Sequence, residues 1–356
     1  MKADVLMQGN SAIAESAIRA GCKYYFGYPI TPSSEIAEYF ARRACPGGVT
    51  YVQAETETAA FNMVAGVSAA GGVGMTATSG PGFCLGVEAL SFMSSAQLPG
   101  VVVDCMRPGP GDGEILAAQG DYFQLTKGGG HGDYRLIVLA PYSVQELADY
   151  TVEAFHLARK YRNPVVLASD GALSKLYENT VLPEPCPEED DELDWVLTGA
   201  KGREARTIVT CGYGPEQWER HCLELQRKFS EMQAAEQRWE SSWTEDAEVI
   251  VVAYGSVARV AADMVKQARA AGRRVGMIRP ITLWPFPEKA FAPVADRAFF
   301  VVELSAGQMV EDVRLNAAKK ENVAFYGRLG GNMPTADELY AALCRAFFPG
   351  EEEEEA

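Results

Sequence analysis

The sequence contains only three histidines, His131, His156 and His221, and no two of them stand four residues apart. A helical two-histidine zinc site therefore has no donors to build on. The eight cysteines, Cys22, Cys45, Cys84, Cys105, Cys186, Cys211, Cys222 and Cys344, never come closer than eleven residues. This excludes a C-x-x-C pair and a ferredoxin-like run able to hold an iron–sulfur cluster. The opening stretch MKADVLMQGN has an acid at position 4 and no apolar centre, so no secretory signal is expected. Scattered cysteines without such a signal predict reduced, mostly buried thiols and a cytoplasmic location. Basic residues are also in deficit, with 32 Lys+Arg against 48 Asp+Glu and a net charge of −16. Such a chain lacks the basic footprint for nucleic acid and for an anionic membrane surface, and neither partner is expected.

The negative charge is unevenly placed. Glu351–Glu355 and the seven acids between Glu184 and Asp194 hold twelve of the sixteen net charges. With Pro183, Pro185 and Pro187, the second of these runs reads as an exposed linker. Charge of either sign is missing from residues 58 to 87. Thirty uncharged residues raise the question of a membrane helix, but seven glycines and Pro81 break this stretch into short pieces. It reads as helix, strand, glycine-rich loop and helix, buried in a sheet that is covered on both faces.

What is present is strand–helix alternation. Over the first 175 residues, β-rich runs at Lys23–Gly27, Thr50–Gln53, Val73–Thr78, Val101–Cys105, Arg135–Leu139 and Pro164–Ser169 alternate with helical patterns. The pattern predicts an open α/β sheet with right-handed crossovers. From Glu216 to Trp243, the apolar residues Trp218, Cys222, Leu225, Phe229, Met232 and Trp239 fall at helical spacing. That stripe packs either on its own chain or on another subunit. A second α/β unit begins near Ala247 and ends in a helix over Thr335–Phe348, with Thr335 as its N-cap.

Several short segments carry chemistry. Glu57 opens a helix of small residues that runs through Gly66, followed by Thr78-Ser79-Gly80-Pro81-Gly82 and Leu98-Pro99. By itself Glu57 is a first-turn acid favoured by the helix dipole, and Glu55 competes for any role. Tyr28-Pro29-Ile30-Thr31-Pro32 ends the first buried strand. Pro32 suits a first helical turn and Thr31 suits an N-cap. Arg107 follows the strand Val101–Cys105, where it serves either as an ion-pair partner or as a bidentate clamp on a carboxylate. His131 sits among four glycines in a tight loop, either as a proton carrier or simply bonded to backbone.

In combination these residues resemble the pyrimidine-binding domain of thiamine diphosphate enzymes, whose glutamate precedes a glycine by nine positions, as Glu57 precedes Gly66. Tyr-Pro-Ile-Thr-Pro, together with Arg279-Pro280-Ile281-Thr282-Leu283-Trp284-Pro285-Phe286-Pro287 and Glu303 to Met309, is similar to the α subunits of 2-oxoacid:ferredoxin oxidoreductases over nearly the whole chain. Within them, Lys127–Arg135, Tyr161–Pro164 and Leu197–Gly202 are similar to the branched-chain, 2-oxoisovalerate, members. The 2-oxoglutarate members are the alternative, and a non-catalytic scaffolding subunit is the alternative of another class.

The resemblance implies a pyrimidine domain over 1–180, an acidic linker and long helix over 181–246, a transketolase C-terminal-like α/β domain over 247–350 and a tail over 351–356. It implies that Glu57 hydrogen-bonds the aminopyrimidine ring of thiamine diphosphate and helps the cofactor to deprotonate its own thiazolium carbon. Tyr28, Pro29, Ile30, Thr78, Ser79, Gly80 and Pro81 then line the cofactor, and Thr31 and Arg107 orient the 2-oxoacid carboxylate or coenzyme A. Gly111-Asp112-Gly113 imitates the start of the family's magnesium motif, but the next asparagine is Asn163, too far on to complete it. No metal is therefore expected on this chain. The resemblance places Mg2+ and the diphosphate on a β subunit, [4Fe-4S] clusters on a ferredoxin-like δ subunit beside a γ subunit, and passes electrons to ferredoxin.

Overall fold

The computed structural model describes residues 4–44, 48–186, 193–212 and 214–349. Most of the acidic linker, the tail and Cys45 lie outside these residues.

The first half alternates as expected. In chain order it runs β1 (Val5–Gln8), α1 (Gly9–Arg19), β2 (Tyr24–Gly27), α2 (Ser34–Ala44) and β3 (Thr50–Gln53). It continues through α3 (Glu57–Ala69), β4 (Gly74–Thr78), α4 (Gly80–Ser95) and β5 (Gly100–Met106). A one-turn π-helix at Gln124–Gly128 precedes β6 (Ile137–Leu139), α5 (Val144–Tyr161), β7 (Pro164–Asp170), α6 (Gly171–Lys175) and β8 (Tyr177–Thr180). The second half holds α7 (Pro215–Ala235), β9 (Trp239–Ser242), β10 (Val249–Val252), α8 (Gly255–Ala270), β11 (Val275–Pro280) and β12 (Thr282–Trp284). It closes with α9 (Glu288–Phe291), β13 (Ala298–Glu303), α10 (Met309–Asn316), β14 (Val323–Gly327) and α11 (Ala336–Phe347).

The main sheet has the order β12-β6-β7-β5-β4-β2-β3 and is parallel from β6 to β3. Its central strands, Gly-Val-Val-Val-Asp-Cys-Met in β5 and Pro-Val-Val-Leu-Ala-Ser-Asp in β7, are buried at every position. Helices on both faces account for that uniform burial. The second sheet, β14-β13-β10-β11-β9, is parallel except for β9. A separate antiparallel pair, β1 with β8, joins residues far apart in the chain.

Two strands cross between the units. β12 pairs antiparallel with β6 in the first sheet, and β9 pairs antiparallel with β11 in the second. The hydrophobic core accordingly runs through both units, from Val102 and Val166 to Ile250 and Phe299.

Four local expectations need correction. α7 ends at Ala235, so Trp239 belongs to a strand and not to the helical stripe; Leu225, Phe229 and Met232 are the buried residues of that helix and pack on this chain's own core. α2 starts at Ser34, not at Pro32, because the Ser33 amide and hydroxyl both donate to the Ile30 carbonyl and hold a turn there. Thr31 is therefore not an N-cap. The supposed glycine-rich loop at 78–82 is a strand end followed directly by the first turn of α4, with Ser79 at the N-cap position and Pro81 tolerated in that turn. Finally, of the seven described cysteines, all free, only Cys22, Cys105 and Cys344 are buried, while Cys84, Cys186 and Cys211 are exposed. At the C-terminus Thr335 does cap α11, in a capping box with Glu338.

Candidate active site

The C-terminal ends of β5, β4, β2 and β3 lie side by side in the main sheet. That edge is where open α/β sheets take ligands. Apart from His131, every site residue picked from the sequence stands at or just beyond one of these four strand ends. Tyr28–Thr31 follow β2, Glu57 follows β3, Thr78–Pro81 follow β4 and Arg107 follows β5.

Thr56 fixes the start of α3, its hydroxyl accepting from the Ala59 amide at 3.1 Å. The next residue, Glu57, is thereby held in the first turn with its side chain buried. Its carboxylate lies against α4 at Gly82. A methyl group on Gly82 would stand 2.5 Å from Glu57 Oε1 and 2.2 Å from Thr78 Oγ1. Glycine at this position is thus what lets Glu57 and Thr78 meet over the first turn of α4. Glu55 is exposed, outside this arrangement.

The turn after β2 is pinned from two sides. Asn10, fully buried in α1, donates from Nδ2 to the Pro32 carbonyl at 2.7 Å and to Glu35 at 2.8 Å. Arg107, its side chain 10% exposed, donates from Nη1 to the Thr31 carbonyl at 2.9 Å. The two residues expected to orient a carboxylate or coenzyme A thus touch each other, through the threonine backbone, and the Thr31 hydroxyl is left out of this contact. Arg107 Nη2 also reaches the exposed Asp112 at 3.4 Å, so the Gly111-Asp112-Gly113 segment supplies a surface partner to the arginine. Tyr28 and Pro29 are exposed at the rim, Ile30 and Thr31 half-buried.

Unpartnered polar atoms gather at the same edge. Ser79 Oγ, both carboxyl oxygens of Asp104, Arg107 Nε and one oxygen of Asp121 are all buried without a hydrogen-bond partner. Buried polar groups are normally satisfied, so this concentration marks a place built for something besides folding. Asn10, Asp104 and Asp121 were not picked out by sequence reasoning, and Gly82 was read only as part of the Thr78–Gly82 segment. Each looks locally ordinary, and only the fold brings them to the strand ends.

His131 stands apart. Its loop is fastened to α4, with the Ser91 hydroxyl donating to the His131 carbonyl at 2.5 Å. A cavity of about 470 Å3, lined by Arg162, Trp195, Arg206, Trp218 and His221 among others, contains none of the expected site residues. Among the described residues, no three His, Cys, Asp or Glu side chains converge to hold a metal ion, and no helix is long and apolar enough to cross a membrane.

The strand-end cleft suits an aminopyrimidine. A buried carboxylate meets a hydroxyl beside a glycine that leaves room, and an orphaned serine hydroxyl lies one residue from that hydroxyl. Bound there, thiamine diphosphate would supply the carbanion chemistry, and the buried Glu57 carboxylate would be the group able to hold a proton at the ring nitrogen.

Comparison with known proteins agrees. Residues 15–242 match the thiamine diphosphate-binding domain of pyruvate flavodoxin/ferredoxin oxidoreductases, and 247–339 match core domain II of pyruvate:ferredoxin oxidoreductase. The ketoisovalerate oxidoreductase subunit VorB of Methanothermobacter thermautotrophicus is 46% identical over 92% of this chain and 94% of its own length. The 2-oxoglutarate synthase subunit KorA of Methanocaldococcus jannaschii is 37% identical over 95% of this chain and 98% of its own. The solved structure of 2-oxoglutarate:ferredoxin oxidoreductase from Magnetococcus marinus superposes with a TM-score of 0.86 at 28% identity, covering 97% of this chain and 65% of that longer one. The sequence motifs, the strand-end cleft and these relatives together establish that the chain belongs to the pyruvate flavodoxin/ferredoxin oxidoreductase family.

Proposed function

We propose that this chain is the α subunit of a thiamine diphosphate-dependent 2-oxoacid:ferredoxin oxidoreductase. The reaction is oxidative decarboxylation of a branched-chain 2-oxoacid, 2-oxoisovalerate, to its acyl-CoA and CO2, with electrons passed to ferredoxin in the cytoplasm. The observation that carries this reading is the meeting of Glu57 with Thr78 over Gly82, beside an Arg107 tied to Thr31. The first group fits a cofactor ring; the second presents a cation for a carboxylate. Tyr28, Pro29, Ile30, Ser79, Gly80 and Pro81 complete the wall between them.

The preference for a branched-chain substrate rests on the greater identity to the ketoisovalerate subunits, 45–46%, than to the 2-oxoglutarate subunits, 36–37%. A 2-oxoglutarate oxidoreductase is the second reading, favoured by the fold match to such an enzyme.

This chain would provide the pyrimidine half of the site, and a β subunit the diphosphate and Mg2+, with [4Fe-4S] clusters on a ferredoxin-like δ subunit beside γ. The outer surfaces of α3 and α4 suit such a neighbour. They expose Met63, Leu85 and Phe92 and carry one exposed charge, Glu88. An exposed apolar surface of this kind marks a protein contact.

The test is an assay of the co-purified complex against 2-oxoisovalerate, 2-oxoglutarate and pyruvate, with CoA and a low-potential acceptor. The highest kcat/KM is expected with 2-oxoisovalerate. Glu57→Gln should lower turnover by roughly 100-fold or more while the complex still assembles; a fully active Glu57→Gln complex would refute the assignment.

A further inference from the structure

Beside the Glu57 cleft, the structure buries two carboxyls against each other. Asp104 lies in β5, opposite Thr78 in the parallel register with β4, and is 0% exposed. Neither of its oxygens has a well-formed hydrogen bond from the described residues, and the nearest donor is the Gly80 amide at the start of α4. A carboxylate left ionised in that setting is costly, and the usual outcome is that it takes up a proton. What does face it is Asp121, near enough for the two carboxyls to share a hydrogen bond. Asp121 Oδ1 accepts from Gln124 Nε2 at 2.6 Å, and Oδ2 has no such donor. Two carboxyls hydrogen-bond each other only when one of them is protonated.

We propose that Asp104 and Asp121 share one proton at neutral pH, Asp104 as the acid and Asp121 as the carboxylate, and that the pair is a positioning unit holding Arg107 and the first turn of α4 at the cleft. The proposal rests on the function argued above for that cleft.

The surroundings fit one negative charge. Gly80, in the first turn of α4, is so close that a methyl on it would stand 3.1 Å from Asp121 Oδ2. A carboxylate at a helix N-terminus is stabilised by the dipole. Arg107 lies within reach of the Asp121 charge, and its buried Nε has no other partner. Full ionisation would place two charges where one cation and one helix end answer them. A neutral pair would leave Arg107 with only the exposed Asp112 as its counter-charge.

The titration follows the same geometry. Burial, and then the neighbouring Asp121, raise Asp104 well above the ordinary carboxylate range, with the Gly80 amide opposing. Burial also pushes Asp121 up to about 6, while Gln124, Arg107 and Asp104 act to lower it. The other groups around the pair are Cys84 of α4, Cys105 of β5 and Tyr254 at the head of α8, all raised, and therefore neutral near pH 7. Glu303 and Asp170 reach the pair's surroundings through Tyr254. Because the folded Asp104 holds its proton above the value of the unfolded chain, its contribution is fully present at low pH. The complex loses stability as pH rises from the ordinary carboxylate range through the raised value.

The experiment compares the wild-type complex with Asp104→Asn and Asp121→Asn. Asparagine at 104 is neutral and keeps a donor toward Asp121. In infrared difference spectra at pH 7, the carbonyl band of a protonated carboxylic acid should be present in the wild type and lost in Asp104→Asn. The decline of Tm between pH 6 and 9 should be shallower in Asp104→Asn. Asp121→Asn should raise KM for the 2-oxoacid about tenfold with kcat little changed. A difference spectrum without that band, or an Asp121→Asn complex with unchanged KM, overturns the proposal. If Asp121→Asn does not assemble, the band and the melting profile decide. Neither depends on turnover, so a complex that turns over no 2-oxoacid would refute the functional reading and leave the proton pair still measurable.

Discussion

Glu303 and Asp104 are both carboxyls at the C-terminal end of a buried parallel strand, and both are fully buried. Glu303 accepts from the amides of Gln308, Met309 and Val310 and from the Ser305 hydroxyl at 2.9 to 3.3 Å. Burial still raises its pKa, and those four donors oppose the rise. Asp104 has only the Gly80 amide near it, without a well-formed hydrogen bond, and its neighbour is another acid. The same chemistry thus serves two ends. Glu303 ties off the first turn of α10 and is spent on structure. Asp104 faces one neighbouring carboxyl instead, on the edge where open α/β sheets take ligands. The strand-end cleft and the second sheet should therefore respond differently to mutation.

The sharpest break of that contrast is at Gly82. Gly82→Val drives a side chain into Glu57 and Thr78, and turnover of the complex should fall on the order of 100-fold or more through misplacement of the carboxylate. Cofactor retention after gel filtration should fall with it, and a variant that keeps wild-type turnover would break the contrast. Glu303→Ala is the opposite case. It orphans three amides of a buried helix end, and unfolding experiments should show a loss of about 2–4 kcal/mol with KM for the 2-oxoacid unchanged in the assembled complex. Asn10→Ala falls between, because Asn10 is a core residue that also holds the Pro32 carbonyl. About 1–2 kcal/mol of stability and a roughly fivefold rise in KM are expected together. Thr335→Ala removes one half of a capping box far from the cleft; Tm should drop by the equivalent of about 1 kcal/mol and kcat should not move.

The sequence shows clearly what is periodic or motif-borne. β3 is read from Thr50 to Gln53, matching the structure at both ends, and Thr335 is read as the N-cap it is, since caps and alternation are local signals. Glu57, Thr31 and Arg107 stand out in short motifs just after their strands, but the contacts they make, with Gly82 and with each other, are distant in the chain. Asn10 and Asp104 do not stand out. In Val-Val-Val-Asp-Cys-Met nothing local says whether the acid is paired, solvated or protonated; Asp121, seventeen residues on, decides it. β1 and β8 escape notice for a related reason. Each has four residues, and their partners lie about 170 positions apart, so neither has enough pattern of its own. Trp239 shows how a true period can be extended too far. It continues the spacing of the α7 stripe, but the chain has already left the helix at Ala235.

The exchange of β9 and β12 between the two sheets limits how this protein could be dissected or recombined. A cut near residue 246 looks like a natural seam, with one family domain on each side. It would strip β12 from the first half and leave β6 as a bare edge, and it would strip β9 from the second half and leave β11 bare. Each fragment would then present an unpaired strand, ready to pair with the next molecule. Chimeras made with relatives should therefore transfer residues 239–284 as one block, so that each half keeps the strand lent by the other.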